Sequence, residues 1–470
     1  MMRTRSAANR CSVPRPELAA RRPRRWCWRR HAAIGTLLLA AAGVARGLSQ
    51  APSADDAAPA RSVQIALSCG ALGIELRLCE QGAQAWARHT GHRVKIISTP
   101  NSSTERLALY LQLLASHSPD LDVLQIDVVW TGMLAMHLID LRAEIGDAAA
   151  AHFPALIAND TIAGRLVAVP WWIDAGVLYY RSDLLARHGF EVPTDWQALT
   201  DVAREIQRRE RATGNDRLWG FVWQGRAYEG LTCNALEWID AFGGGAILSA
   251  DGTPTVTHPR AVAALSLAAG WAGDISPPGV LAYDEEAARG VFQSGHAVFM
   301  RNWPYAWSLL QNPDSPVRDR VGVATLPAGG ADGKPTGALG GWHLAVSRHS
   351  RHPRVAADLV RYLTSEAEQK RRALAGSYNP SIVALYRDPE VLAANPFFGT
   401  LFGTFEHAVA RPSRIAGPRY NRVSYAFWNA AHDIVSRRAE PRARLESLDT
   451  ELRRLSRRVH WRKPPAETTR

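Results

Sequence analysis

The chain has 470 residues, 46% hydrophobic and 21% charged, a composition typical of globular proteins and long enough for two domains. Its net charge of +12 would suit a nucleic-acid-binding protein. However, residues 1–51 hold eleven arginines and one acidic residue, Glu17, and so account for ten of these charges. The rest of the chain is close to neutral, which argues against a nucleic-acid partner.

The first 51 residues have the pattern of a secretion signal. The basic stretch "RRPRRWCWRRH" precedes the apolar stretch "AAIGTLLLAAAGVA", which is too short to span a bilayer. We therefore expect cleavage after Ala45 or Ala51, export to the periplasm, and a flexible mature N-terminus over residues 52–61. The alternative is an uncleaved membrane anchor. No cysteine follows the apolar stretch, so a lipid anchor is not indicated.

Three cysteines lie beyond the signal: Cys69, Cys79 and Cys233. An oxidising compartment permits one disulfide and one free thiol. We expect the pair Cys69–Cys79, because Cys69 ends a predicted strand and Cys79 lies on the helix that follows. Three buried thiols are the alternative.

Strand and helix patterns alternate from residue 62 onwards. The strand "SVQIALSC" leads to an amphipathic helix that ends at Gly91, and the strand "VKIIST" leads to a helix with an S-x-x-E capping box. The stretch "DVLQI" is the third strand. Strands separated by helices of this length predict a parallel, doubly wound α/β sheet.

A second series of elements follows residue 176. The strand "GVLYY" precedes a long helix with Thr194 as its predicted N-cap, and later strands are "LWGFVW" and "HAVFMRN". A loop rich in glycine and proline then precedes the strand "WHLAVS", which we expect to return to the first lobe. The chain ends in helices, the last with leucines at helical spacing and a basic, solvated face.

Motifs for nucleotides, metals and hydrolytic catalysis are missing from the sequence. Gly333-Lys334 lies in a glycine-rich loop, but Pro335 replaces the Ser or Thr that a phosphate loop needs. His349 and His352 have no carboxylate or cysteine partners at metal-ligand spacing. No G-x-S-x-G elbow occurs. We therefore expect neither a cofactor nor a metal.

Polar residues recur where predicted strands give way to the next element. Ligands of open α/β sheets bind outside the carboxyl ends of the strands, so such side chains should share one crevice. Each alone is better explained as a helix cap or surface group, but successive strand ends together favour a binding site. Asp127 in particular should stand at the lip of that crevice, in contact with water. The candidates are Glu75, Asn101, Ser102, Arg106, Asp127 and Asp174.

Aromatic residues near these positions suggest a carbohydrate. Trp172 neighbours Asp174, and Trp303, Tyr305 and Trp342 lie near the starts of predicted elements. Sugar hydroxyls donate to carboxylates in charged hydrogen bonds of about 1.5–3 kcal/mol each, and the apolar face of a pyranose stacks on an indole. An arginine such as Arg106 or Arg411 would donate to hydroxyls and keep the carboxylates ionised.

With these features the chain resembles the bacterial extracellular solute-binding proteins of ATP-driven sugar importers. It is most similar to their trehalose/maltose-binding branch. The stretches that carry the resemblance are "SCGALGIELRLCEQGAQAWARHTG", "STPNSSTERLALYLQLLASHSPDLDVLQIDVVW", "WWIDAGVLYYRSDLL", "QGRAYEGLTCNALEW", "FMRNWPYAW", "GALGGWHLAVS" and "ARPSRIAGPRYNRVSYAFWNAAHDI".

The resemblance implies a two-lobed periplasmic-binding-protein fold of type II, in which each lobe is a sheet flanked by helices. It implies residues 62–172 and 336–378 for lobe 1, residues 173–335 and 379–455 for lobe 2, and a basic tail over 456–470. The sugar would bind between the lobes. The walls would come from the residues named above, with Gly341 from the returning segment and Arg411 from the C-terminal part.

The resemblance also implies a function without catalysis. A disaccharide such as trehalose or maltose would close the lobes, and the closed monomer would dock on the permease subunits of an ABC transporter. The main alternative is a secreted glycoside hydrolase that acts on α-glucosides, because paired carboxylates and aromatics suit such an enzyme equally well.

Overall fold

The computed structural model describes residues 62–330 and 332–457. The predicted signal, the flexible N-terminus and most of the basic tail lie outside the described residues. The strands within them are β1 (Gln64–Cys69), β2 (Arg93–Ser98), β3 (Val123–Asp127), β4 (Thr161–Ile162), β5 (Arg165–Leu166), β6 (Val169–Ala175), β7 (Val177–Arg181), β8 (Trp219–Val222), β9 (Ala297–Asn302), β10 (Val321–Thr325) and β11 (Leu339–Val346).

Helices make up most of the remaining described chain. They are α1 (Glu75–Thr90), α2 (Ser103–Ala115), α3 (Thr131–Leu134), α4 (Arg142–Ile145), α5 (Pro154–Asp160), α6 (Ser182–His188), α7 (Trp196–Ala212), α8 (Glu229–Ala241), α9 (Pro259–Ala269), α10 (Glu285–Gln293), α11 (Ala306–Leu310), α12 (Pro353–Leu363), α13 (Glu366–Gly376), α14 (Pro389–Ala394), α15 (Phe398–His407), α16 (Ser413–Ala416), α17 (Tyr420–Val435) and α18 (Pro441–Arg457). No helix within the described ranges combines the length and apolar character needed to cross a membrane.

The strands form two main sheets and one short hairpin. The first sheet has the order β2-β1-β3-β11-β6, the second has the order β10-β7-β9-β8, and β4 pairs with β5. We call the first sheet with its connecting helices the first lobe, and the second sheet with its helices the second lobe. The mixed α/β, two-lobed architecture predicted from the sequence is therefore confirmed, whereas the lobe boundaries stay a prediction.

The parallel pairing predicted for the first three strands is confirmed, but neither complete sheet is wholly parallel. β1 runs parallel to β2 and β3, but β11 is antiparallel to both β3 and β6. In the second sheet β8 and β9 are parallel, whereas β7 is antiparallel to β9 and β10. β11 enters the first sheet from the second lobe, at the edge where β3 ends, and so it must run in the opposite direction to β3.

Local signals explain where the first helices begin and end. The hydroxyl of Ser102 accepts a hydrogen bond from the backbone N–H of Glu105, as the capping box predicts. Helix α1 ends at Gly91, which has φ 75° and donates its N–H to Ala87. The predicted N-cap of α7 was wrong by one residue, because the Asp195 carboxylate rather than Thr194 accepts the helical N–H.

The C-terminal helix α18 packs through its leucines. Leu445, Leu448 and Leu452 are fully buried, whereas Leu455 in the next turn is only partly buried. These residues join the large core that includes much of the second lobe. The helical spacing predicted for this stretch is confirmed, and its apolar side is part of the protein interior.

The structure joins Cys69 to Cys79 in a disulfide with a Cα–Cα distance of 6.5 Å. Both cysteines are fully buried, and they link the end of β1 to the first turns of α1. The remaining described cysteine, Cys233, is a buried free thiol.

A buried ion pair lies where the chain crosses between the lobes. Arg301 of β9 donates from Nε to Glu237 of α8 at 2.9 Å, and neither side chain is exposed to solvent. Glu237 also accepts the backbone N–H of Ala338, just before β11, at 3.0 Å. A side chain at Gly176, between β6 and β7, would overlap the Glu237 carboxylate. The pair is therefore bonded to the segment before β11 and lies directly against the one between β6 and β7.

Candidate functional site

A cleft lies between the two lobes, and the space between its walls, counted together with the open solvent at its mouth, is about 620 Å³. The residues that line it are Leu72, Glu75, Asn101, Ser103, Asp127, Trp172, Asp174, Glu229, Gly230, Cys233, Glu285, Trp303, Tyr305, Gly340, Gly341, Trp342, Tyr378 and Arg411.

Strand register brings three of these residues side by side on the first lobe. β11 lies between β3 and β6, and Trp342 of β11 is opposite both Asp127 of β3 and Trp172 of β6. Gly340, two residues earlier, is opposite Asp174. Three strands from separate parts of the sequence thus contribute two carboxylates and two indoles to the cavity.

Two glycines in β11 permit this close packing. A Cβ at Gly340 would lie 3.1 Å from the Trp303 ring and 3.2 Å from the Asp174 Cβ, closer than side chains ordinarily approach. Gly341 has φ 130°, and a Cβ there would lie 2.6 Å from the carbonyl oxygen of Trp172. Gly340 therefore lets Trp303 of the second lobe approach the first-lobe strand, and Gly341 lets β11 lie close to the backbone of Trp172.

Arg411 joins two carboxylates from different lobes. Its Nη2 donates to Asp127 at 2.8 Å, and its Nη1 donates to Glu229 of α8 at 2.8 Å. Glu229 also accepts from the hydroxyls of Tyr420 and Ser424, and burial raises the pKa of Glu229. Asp127 is only 6% exposed. Asp127 lines the cavity, but as a buried side chain paired with Arg411 and not as the water-exposed group that was expected at the lip.

Asp174 is a buried carboxylate with neutral donors only. The indole Nε1 of Trp172 donates to it at 2.9 Å, and the amide of Asn379 donates at 3.5 Å. No described lysine or arginine forms an ion pair with it. Burial raises the pKa of Asp174 to about 7. This carboxylate is therefore poised between its two protonation states near neutral pH.

Glu75 and Glu285 add two further carboxylates. Glu75, in the first turn of α1, accepts from the side-chain amide of Gln125, which in turn accepts the backbone N–H of Gly70 at 2.6 Å. Glu285, in the first turn of α10, accepts from the Tyr228 hydroxyl at 2.6 Å. Burial raises the pKa of Glu285. Both carboxylates are buried, so their remaining lone pairs face the protein or the cavity.

Aromatic rings of the second lobe form the opposite wall. Trp303 follows β9, and its Nε1 donates to Glu285 at 3.4 Å. The Tyr305 hydroxyl donates to Glu286 at 2.7 Å. With Trp172, Trp342 and Tyr378, the cavity therefore holds flat apolar faces beside its carboxylates.

The structure places ten of the twelve predicted site residues around this cavity. The two others are Ser102, which caps α2, and Arg106, which is fully buried against Trp342 and donates to the Pro100 carbonyl at 3.0 Å. Trp342 is not at the start of its strand, as was expected, but within it.

Sequence reasoning missed the rest of the lining. Glu229 and Glu285 occupy first turns of helices, where acidic residues are common for helix-dipole reasons alone. Tyr378 and Cys233 have no distinguishing pattern around them. Within the described residues no group of histidine, cysteine and carboxylate side chains could hold a metal ion.

Comparisons with known proteins support a binding function. The family model described as "Bacterial extracellular solute-binding protein" matches residues 79–370. A "Probable ABC transporter-binding protein" of Deinococcus radiodurans is 48% identical over 401 residues, which is 85% of this chain and 95% of that protein.

Solved structures give the same result. T. maritima MalE3 with maltose bound is 38% identical, has a TM-score of 0.79, and covers 84% of this chain and 100% of its own. The GacH receptor of Streptomyces glaucescens, solved unliganded and with acarbose, shares the fold at 23% identity with a TM-score of 0.74, over 84% and 99% of the two chains. With the family model matching well over half of its length, the chain belongs to the bacterial extracellular solute-binding proteins, which capture the solutes that ABC transporters import.

Proposed function

We propose that the protein captures a neutral disaccharide of the trehalose/maltose type in the interlobe cavity and delivers it to the permease subunits of an ABC importer. In this proposal the mature chain works as a periplasmic monomer after its signal is removed, and no bond of the ligand is broken. The observation that carries it is the combination of three tryptophans and five carboxylates around one cavity between two lobes.

The chemistry of the lining supports a polyhydroxylated ligand. Glu75, Asp174 and Glu285 are buried and have no cationic partner among the described salt bridges, so they need hydroxyl or amide donors. The indoles of Trp172, Trp303 and Trp342 offer apolar faces for the C–H faces of sugar rings.

The charge of the cavity argues against anionic sugars. Arg411 is the one basic residue among those found to line it, and its guanidinium is already paired with Asp127 and Glu229. A phosphate or uronate would therefore meet carboxylates without a free cation to balance it. Neutral sugars avoid this repulsion.

Relatives also support this class of ligand. MalE3, which is 38% identical over its whole length, is a protein solved with maltose bound. The family model and the Deinococcus radiodurans relative are described as binding proteins, and GacH is described as a receptor. This favours solute capture over the alternative of an α-glucoside hydrolase.

Contacts across the cavity support capture by closure. The backbone N–H of Glu229, in the second lobe, donates to the Thr104 hydroxyl of α2 at 3.3 Å, and Arg226 pairs with Glu105 at 2.8 Å. A sugar that touches both lobes would favour this arrangement over one with the lobes apart. The closed form would then be the one that docks on the permease.

Isothermal titration of the purified mature protein against maltose, trehalose, sucrose and mannitol tests the proposal. We expect the disaccharides of glucose to bind and Trp303→Ala to weaken that binding at least about 10-fold. Trp219→Ala is the matched control, because Trp219 is a partly buried second-lobe tryptophan that does not line the cavity.

Two results would count against the proposal. If none of these sugars binds, or if Trp303→Ala binds as tightly as Trp219→Ala, the cavity is not the sugar site. If glucose is released from maltose or trehalose during incubation, the protein is a hydrolase and not a transport component.

A further inference from the structure

Each of the three cavity tryptophans has a buried arginine against its ring. The guanidinium carbon of Arg106 lies 4.2 Å from the ring centroid of Trp342, that of Arg301 lies 3.9 Å from Trp303, and that of Arg372 lies 4.7 Å from Trp172. None of these arginines lines the cavity. The tryptophans come from three different strands or strand ends, so the arrangement recurs in independent parts of the fold.

Arg372 shows this arrangement without a hydrogen bond or salt bridge to its guanidinium, although the charges of Glu75 and Glu368 also favour its charged form. Its side chain is 1% exposed, and no hydrogen-bond acceptor among the described residues reaches its Nε, Nη1 or Nη2 atoms. A buried guanidinium normally requires several acceptors, because desolvation of the charge is costly. Burial lowers the pKa of Arg372 to about 10, so the group stays charged at neutral pH.

Aromatic rings surround this cation instead of acceptors. The guanidinium carbon lies 3.9 Å from the ring centroid of Trp171 and 4.7 Å from those of Trp172 and Tyr378. A desolvated cation over an aromatic face is attracted by the ring quadrupole. Arg372 therefore connects the interior of the first lobe to two rings that line the cavity.

The side chains of Trp172 and Tyr378 also donate hydrogen bonds at the site. Trp172 donates from Nε1 to Asp174, and the Tyr378 hydroxyl donates to the backbone carbonyl of Leu72 at 3.2 Å. A rotation of the Trp172 ring would break its bond to Asp174 and change the face that a ligand meets. A guanidinium against the ring opposes that rotation.

We propose that Arg372 is a positioning residue for ligand binding, which holds the Trp172 and Tyr378 rings in the planes that meet the sugar without touching the sugar itself. Arg301 and Arg106 do the same for Trp303 and Trp342. This inference rests on the proposed sugar-binding function, but the ring orientation that it concerns is measurable without any ligand.

Three variants separate positioning from general packing. Arg372→Met keeps the length and apolar stem of the side chain but removes the cation, and Arg372→Lys keeps a cation. Arg371→Met is the control, because Arg371 precedes it on α13 but pairs with Glu368 instead of lying over an aromatic ring. Each is measured for maltose affinity by calorimetry and for the indole N–H signal of Trp172 in ligand-free protein by NMR, with Trp172→Phe used to assign that signal.

Arg372→Met should weaken maltose binding at least about 10-fold and shift or broaden the Trp172 indole signal. Arg372→Lys should stay within about threefold of the unaltered protein, and Arg371→Met should change neither quantity. If Arg372→Met does not fold, Arg372→Lys decides, since retained affinity and indole signal support the inference and loss of both overturns it.

The inference is overturned if Arg372→Met leaves the affinity and the indole signal unchanged, or if the Lys and Met variants lose affinity equally at equal thermal stability. Should the unaltered protein bind no sugar, the proposed function fails, and the indole signals of the three variants still decide whether Arg372 positions the ring.

Discussion

Arg411 donates to Asp127 at 2.8 Å, although the two residues lie 284 positions apart in the chain. The carboxylate comes from a first-lobe strand, and the same guanidinium also holds Glu229 of the second lobe. Asp127 and Arg411 thus form one electrostatic unit with Glu229, so a change in any member affects both the site and the contact between lobes.

Asp127→Ala should weaken both binding and folding. The buried Arg411 would keep only one carboxylate, which we expect to lower the free energy of unfolding by about 1–3 kcal/mol. Loss of a charged acceptor for sugar hydroxyls should weaken maltose binding at least about 10-fold. Urea unfolding and calorimetry measure the two effects, with the exposed Asp147→Ala as control. Normal binding by Asp127→Ala would remove Asp127 from the site.

The protonation of Asp174 should make stability depend on pH. Burial raises its pKa to about 7 in the folded protein, against about 3.9 in the unfolded chain. Its contribution to stability is therefore complete below about pH 4 and is lost as pH rises through 7, by up to about 1.4 kcal/mol per pH unit. Asp174→Asn should lack the part of the decline in stability that is caused by ionisation of Asp174.

The measurement is urea unfolding of the two proteins between about pH 4 and pH 8. Glu229 and Glu285 also have raised pKa values from burial, so both proteins keep a slope of the same sign. The difference between the two curves isolates Asp174. Parallel curves would mean that Asp174 is ionised across this range.

The ion pair between Arg226 and Glu105 should contribute little on its own. Both side chains are about half exposed, at 43% and 55%, and such pairs contribute about 0.2–1 kcal/mol. A double-mutant cycle with Arg226→Gln and Glu105→Gln should give a coupling of that size in maltose affinity. The coupling should vanish near 1 M salt, where the screening length is about 3 Å. A larger, salt-independent coupling would contradict this view.

Leu448→Ala should destabilise the protein without weakening binding. Leu448 is fully buried on α18 and is not among the residues that line the cavity. Its truncation removes packing contacts and leaves a void in the core, which should lower the free energy of unfolding by about 2–5 kcal/mol. Leu455→Ala, on the same helix but only partly buried, should cost less. Thermal unfolding measures stability, and calorimetry checks the affinity. A loss of affinity at a temperature where the variant is folded would show coupling between α18 and the site.

The α/β alternation and most of the first-lobe site were predictable from sequence because they depend on local patterns. Carboxyl ends of neighbouring strands meet at one edge of a sheet, so Asp127 and Asp174 could be grouped without a structure. The direction of β11 could not be predicted, because it depends on the edge at which the returning chain enters the sheet.

The second-lobe carboxylates and the buried arginines could not be identified from sequence, because their local patterns are those of ordinary helices. An acidic residue at the start of a helix, such as Glu229, has the same sequence pattern whether it only stabilises the helix dipole or also faces a ligand. Arg372 lies in the polar stretch "EAEQKRRALAG", where nothing distinguishes it from the exposed arginine of a surface helix. Its role depends on rings brought together by tertiary packing.

Cys233 gives the site a built-in chemical reporter. Its thiol lines the cavity, and it is the one cysteine outside the disulfide among the residues that the structure describes. Burial raises its pKa to about 12, so alkylating reagents should reach and react with it only when the lobes separate. The rate of thiol alkylation with and without sugar would thus follow the opening of the protein in solution, with no engineered label.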